Sequence, residues 1–154
     1  MHIFEKNIND LNLKIGEMLS PVANYVPYVL VDNILYVSGQ APIKDGKILY
    51  SGKVGEDLTD EEGIKAAELC CVNIISALKS SINGDWDKLE RFIKLGGFVN
   101  CNSNYTNQPK IINGASDLLV NIFEDKGRHS RFAVGSNALP LNIAVEIDAI
   151  IKLR

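Results

Sequence analysis

Three cysteines and two histidines are the strongest nucleophiles and metal ligands that this chain of 154 residues offers. Cys70 and Cys71 are neighbours in a stretch of helical period, so their side chains point about 100° apart and cannot grip one metal ion together. The number of cysteines is odd and no C-x-x-C spacing occurs, which argues against a disulfide framework and predicts reduced, buried thiols. His2 lies in the N-terminal tail and His129 far from it, so a histidine-based metal site lacks partners. Gly52-Lys53-Val54-Gly55 has the wrong spacing for a loop that cradles phosphates. Ser116, in Gly114-Ala115-Ser116-Asp117-Leu118, lacks the second glycine of a nucleophile elbow. Glu146 interrupts the apolar strand pattern of Val145 to Ile151 and is polar where its neighbours are not. With no strong nucleophile, no metal cluster and no cofactor loop, composition and spacing leave the function open.

The elements that must position these residues follow from hydrophobic period. Ile8, Leu11, Ile15, Met18 and Leu19 recur at helical spacing, which predicts a short helix within residues 2–19, ended by Ser20-Pro21. From Tyr28 the period becomes that of strands. Tyr28 to Val31 and Ile34 to Ser38 flank Asp32-Asn33, two residues that tolerate left-handed conformations, and predict a tight hairpin. A second turn at Asp45-Gly46 separates Ala41-Pro42-Ile43 from Ile48-Leu49-Tyr50. Thr59 and Glu62 form a capping box, and the helix behind it places Ile64, Ala67, Cys71, Ile74, Ile75, Leu78 and Ile82 on one face. Residues 91–101 read as a strand. A second long helix opens at Asn107 and Pro109 and closes near Gly127, with Ile112, Ala115, Leu118, Leu119, Ile122 and Phe123 inward. Two last strands, 131–138 and 143–153, meet at Leu139 to Asn142. This order describes an α+β domain with a mixed sheet and two helices on one face. The last strand toward its end, and Ile34 to Val37, are apolar on both phases, so both faces of the sheet call for cover, and a partner subunit supplies the second.

Length allows one domain, residues 1–154, with 1–20 as an N-terminal extension. The net charge of −3 and the scattered lysines and arginines argue against a nucleic-acid partner. The N-terminal stretch is acidic and free of arginine, unlike a signal or transit peptide. No apolar run approaches membrane-spanning length, so the expectation is a cytoplasmic protein without a membrane partner.

Several segments resemble the RidA (YjgF) family. They are Pro27-Tyr28, Leu35 through Pro42 with its Ser38-Gly39-Gln40-Ala41-Pro42, Arg131-Phe132-Ala133-Val134, Leu139-Pro140 and Val145 through Ile150. The first and last pieces are specific in combination. Asn73, Asn113 to Leu119 and Gly127 to Arg131 look like a longer, less characterised branch. The resemblance implies a chorismate-mutase-like fold and a homotrimer, in which three sheets form a central barrel with helices outside and pockets between subunits. It also implies hydrolysis of small reactive imines or enamines to 2-oxo acids and ammonia, with no cofactor and no metal. By position, Arg131 matches the arginine that clasps the substrate carboxylate, and Glu146 the glutamate that aims the attacking water. Tyr28, Ser38, Gly39 and Asn113 match pocket-lining positions. Ala133 stands where many members carry a reactive cysteine, and His129, counted with the substrate-binding residues, adds an ionisable group that the better-known members lack.

The implied chemistry suits these residues. A carboxylate beside a C=N bond calls for a planar two-pronged cation, which arginine supplies and lysine does not. An imine carbon is already electrophilic, so fixing the carboxylate, aiming a water and accepting charge suffice. A short 139–142 connection predicts that Glu146 lies opposite residues 133–135, on one face with Arg131 and within ~5–8 Å reach. Two other readings stand beside this one. One is non-catalytic binding of a small carboxylate metabolite, and the other is RNA cleavage or inhibition of translation.

Overall fold

The computed structural model describes residues 1–18, 21 and 23–154. Helix α1 (Ile3–Asp10) comes first, and β1 (Tyr28–Val31) and β2 (Ile34–Gln40) form the hairpin. Both turn residues are left-handed, Asp32 with φ 50° and Asn33 with φ 61°, as a two-residue turn matching strand twist requires. A small ribbon, β3 (Ile43–Lys44) and β4 (Lys47–Ile48), turns at Asp45 and Gly46, which are also left-handed. Helix α2 (Asp60–Ser81) starts with the expected capping box: Thr59 Oγ1 accepts from the Glu62 amide, and Glu62 Oε1 accepts from the Thr59 amide. Strand β5 (Leu89–Asn100), helix α3 (Gln108–Phe123), β6 (Ser130–Ser136) and β7 (Val145–Leu153) complete the chain.

The N-terminal helix is shorter than its apolar spacing predicts. Asn12 is left-handed (φ 55°), its amide donates to Asn9, and the Leu13 amide reaches back to the Ile8 carbonyl. These two bonds are a Schellman stop, which ends the helix one turn after Ile8. Leu13, Ile15 and Met18 still pack on the core, as irregular chain. The predicted stop at Ser20 lies outside the described residues.

The main sheet runs β1-β2-β7-β5-β6, antiparallel throughout except for the parallel pair β5–β6. The last two strands therefore do not pair with each other; β5 lies between them. The reason is visible at the end of β5. Asn100, almost fully buried, donates from Nδ2 to the Ile143 carbonyl and to Asn142 Oδ1, and its amide donates to Ala144. Leu141 and Asn142 are both left-handed, so the chain crosses the end of β5 rather than folding back beside β6.

Residue parity separates the two faces. Ile147, Gly97 and Ala133 lie side by side across β7, β5 and β6, and a Cβ on Gly97 would strike Ile112 of α3. That face meets the helices: α2 packs on β2 and β7, α3 on β5 and β6, and α1 on α3. The opposite face presents Val29, Tyr36, Phe98, Phe132 and Val134, all exposed within one chain. Cys70 and Cys71 are fully buried on the helix side, and their thiols donate to the Val145 and Ala115 carbonyls. Among the described residues no helix is long and apolar enough to cross a membrane.

Candidate functional site

Two groups of candidate residues emerge, one on each face of the sheet. The first surrounds Arg131. Its position in β6 shares the face of Ala133, toward α3. Nη1 donates to Ser116 Oγ at 3.0 Å and Nη2 to the Pro109 carbonyl at 3.1 Å. Pro109, Asn113 and Ser116 recur at i, i+4 and i+7, so they share one helix face, and exposed Asn113 stands between the two anchors. Ser116 Oγ also lies 2.9 Å from His129 Nε2, and His129 Nδ1 lies 2.6 Å from the Gly127 carbonyl. Burial chiefly pushes the imidazole pKa below its ordinary 6.5. The Gly127 carbonyl opposes that shift and the Arg131 charge adds to it. His129 thus stands behind Arg131 with both ring nitrogens engaged. No carboxylate pairs with Arg131 among the described residues.

The second group surrounds Glu146. Between Val37 and Gln40 the register of β2 against β7 shifts, and Ser38-Gly39 form the irregular step. Gln40 Nε2 closes that step on the Ser38 carbonyl, and Ser38 Oγ donates to the Val26 carbonyl at 2.7 Å. Gly39 is needed there for space: a Cβ would stand 2.8 Å from Glu146 Oε2. Glu146 is half-buried, and desolvation first, the charge of Asp148 second, push its carboxyl above the usual carboxylate range. Asp148 shares this face and accepts from the Gly96 amide at 3.0 Å.

The expectation that Arg131 and Glu146 share one face of a strand pair is not met. Glu146 pairs with Phe98, which pairs with Val134, three residues past Arg131. That is roughly 10 Å along the strands and roughly 10 Å across them, on opposite faces. Tyr28 is also apart, with its hydroxyl 3.4 Å from Ser80 Oγ on α2. A hollow of about 310 Å³ at the ends of β5 and β6 is lined by Cys101, Tyr105, Gln108 and Ser136, and contains neither Arg131 nor Glu146. Sequence reading weighs Ser116 only as a nucleophile and misses it as a partner of Arg131, although its spacing from Pro109 and Asn113 marks the same helix face. It also overlooked Asp148, two residues beyond Glu146 and so on the same side of the strand.

Comparison with known proteins gives a consistent picture. The family model described as "YjgF/chorismate_mutase-like, putative endoribonuclease" matches residues 5–152. Protein TCP17 of Trypanosoma cruzi is 40% identical over 149 residues, covering 96% of this chain and 92% of its own. The crystal structure of Atu1372 from Agrobacterium tumefaciens, a protein of unknown function, is 44% identical with a TM-score of 0.90, over 99% of this chain and 93% of its own. A crystal structure from Shewanella oneidensis described as "a putative endoribonuclease" is 34% identical with a TM-score of 0.94, over 99% of this chain and 100% of its own.

Proposed function

The chain belongs to the YjgF/chorismate-mutase-like (RidA) family, and we propose that it is a cytosolic homotrimer that hydrolyses small imines or enamines of 2-oxo acids. One observation carries this reading. The half-buried guanidinium of Arg131 is held by two neutral oxygens and meets no carboxylate among the described residues. Of its five N–H donors three meet no acceptor among the described residues. A cation fixed in place without a counter-ion is a receptor for a small carboxylate.

The reaction balances with the groups at hand. The protonated imine, R–C(=NH2⁺)–COO⁻, rests its carboxylate on Arg131. A water held by Glu146 attacks the imine carbon, the C=N π pair moves to nitrogen, and Glu146 takes the water's proton. In the collapse of the carbinolamine Glu146 gives that proton to nitrogen, and the C–N bond breaks with its pair going to the departing ammonia. The hydroxyl O–H pair closes the C=O of the 2-oxo acid while its proton passes back to Glu146. A carboxyl whose pKa is raised by burial can both take and return that proton.

Opposite faces of one chain cannot contribute to one pocket, so Arg131 of one copy meets Glu146 of another. The exposed apolar face supports assembly, since Val29, Tyr36, Phe98, Phe132 and Val134 form a patch that a lone chain would leave in water. RNA cleavage fits these residues poorly, because the net charge is −3 and the lysines and arginines are scattered.

The test generates 2-iminobutanoate with an amino-acid oxidase while semicarbazide traps the free imine as a chromophore. The protein should slow semicarbazone formation in proportion to its concentration, and Arg131→Ala should abolish the effect. Light scattering should give about three times the 16.9 kDa chain mass. Wild-type protein that never competes with the trap, across several amino-acid precursors, refutes the hydrolase; binding of 2-oxo acids without competition would leave a metabolite-binding protein.

A further inference from the structure

With the His129 ring neutral, the hydrogen bonds behind Arg131 have only one consistent polarity. The Gly127 carbonyl can only accept, so His129 Nδ1, 2.6 Å away, must carry the proton. With the ring neutral, Nε2 is then a bare acceptor, and the Ser116 hydroxyl must donate to it across 2.9 Å. The Ser116 oxygen is thereby turned toward Arg131, whose Nη1 can only donate, at 3.0 Å. Every proton in the series Arg131 to Ser116 to His129 to Gly127 is assigned by its neighbour, and the series ends on a backbone atom that cannot turn away.

We propose that Ser116 and His129 are positioning residues that lock the Arg131 guanidinium in the orientation that receives a carboxylate. The proposal rests on Arg131 being a carboxylate clasp, and it deepens that reading. Pro109 alone would hold one corner of the guanidinium and leave it free to swing about that bond; the Ser116 oxygen supplies the second fixed point. Serine alone could rotate its hydroxyl, and His129 removes that freedom. A fork held at two points loses less entropy on meeting a carboxylate. The pair touches no reacting atom and acts only through Arg131.

The experiment reads Arg131 directly by nitrogen NMR in the free protein, with Arg131→Lys assigning its signals. In wild type, rotation about the guanidinium C–N bonds should be restricted, and the His129 ring should report the Nδ1-protonated tautomer. Ser116→Ala and His129→Phe should free that rotation with melting temperatures nearly unchanged, whereas Ser116→Thr, which keeps the hydroxyl, should retain it. Pyruvate serves as the probe ligand. Its affinity should fall about tenfold in the first two variants and recover in the third, as expected for an orienting bond to a charged group. A folded Ser116→Ala protein with the guanidinium as restricted as in wild type overturns the proposal, as does an Nε2-protonated His129. If wild type binds no pyruvate, the carboxylate-clasp reading fails, while the guanidinium and tautomer signals still decide whether the pair positions Arg131.

Discussion

Gly39→Ala separates the position of the Glu146 carboxylate from its presence. An added Cβ would stand 2.8 Å from Oε2, 3.0 Å from Cδ and 3.2 Å from Cγ of Glu146. Ordinary contact begins at 3.4 Å, so Oε2 must retreat by about 0.6 Å (3.4 − 2.8). The obstacle is the far end of a flexible side chain, so the cost in stability should stay below about 1 kcal/mol, or about 3 °C in melting temperature. Activity should suffer more. A misplacement of ~1 Å can cost about 100-fold, so half that displacement should lower kcat by about 10-fold or more. The semicarbazide competition assay reads this loss, and pyruvate binding to Arg131 should remain at the wild-type level. Full activity in a folded Gly39→Ala protein would refute the reasoning, because a carboxylate that aims water cannot tolerate such a shift. Loss of the fold would refute it differently, by showing that Glu146 cannot yield.

Gly114→Ala makes the contrasting case. Its Cβ would meet the Ile64 carbonyl oxygen at 2.3 Å, a clash between the backbones of α2 and α3. Thermal denaturation should show a loss of about 3 kcal/mol or more, roughly 6–12 °C; an unchanged melting temperature would mean that the helices part freely. The third perturbation is pH. Burial raises the Glu146 pKa above 4.5, so between 4.5 and the raised value the folded chain holds a proton that the unfolded chain has lost. Stability from this group is therefore complete below 4.5 and falls as pH rises through the folded value. Glu146→Gln should melt higher than wild type at pH 7, and the difference should vanish below pH 4.5. Hydrolysis should show the opposite trend and rise with pH to a midpoint above 4.5, as the base form appears; a midpoint at or below 4.5 would contradict the burial.

The parts of the fold that depend on neighbours in sequence were legible. Asp32-Asn33, Asp45-Gly46 and the Thr59–Glu62 box form locally, by left-handed tolerance and by short side-chain reach. The stop at Asn12 was equally local, but asparagine on a helix surface looks like any other polar residue until it turns left-handed. The pairing of β6 was not local. Whether 137–144 folds back beside β6 or crosses β5 depends on Asn100, a polar residue whose burial against Ile143 and Asn142 cannot be read from its own surroundings in the sequence. The site was misread for the same reason: a wrong neighbour for β7 reverses which residues face Arg131. The role of Ser116 beside Arg131 was missed because a serine in a helix is common, and its meaning comes from β6 bringing Arg131 against it.

The opposite facing of Arg131 and Glu146 makes a prediction that no single-chain site could satisfy. Arg131→Ala and Glu146→Gln should each be inactive alone. If each pocket takes its arginine from one copy and its glutamate from the next, a trimer containing both variants can rebuild an intact pocket. The arginine must come from a Glu146→Gln chain and the glutamate from an Arg131→Ala chain. With equal amounts and random association, each of these choices has probability one half, so about one quarter of pockets should be intact. The two variants, unfolded and refolded together, should therefore recover about a quarter of wild-type semicarbazide competition, while a mixture of separately folded trimers recovers none until subunits exchange. A site formed within one chain would stay silent in every mixture, since each chain lacks one of the two groups. Silence from co-refolded trimers, verified as mixed by mass, would mean that the two residues do not meet across an interface.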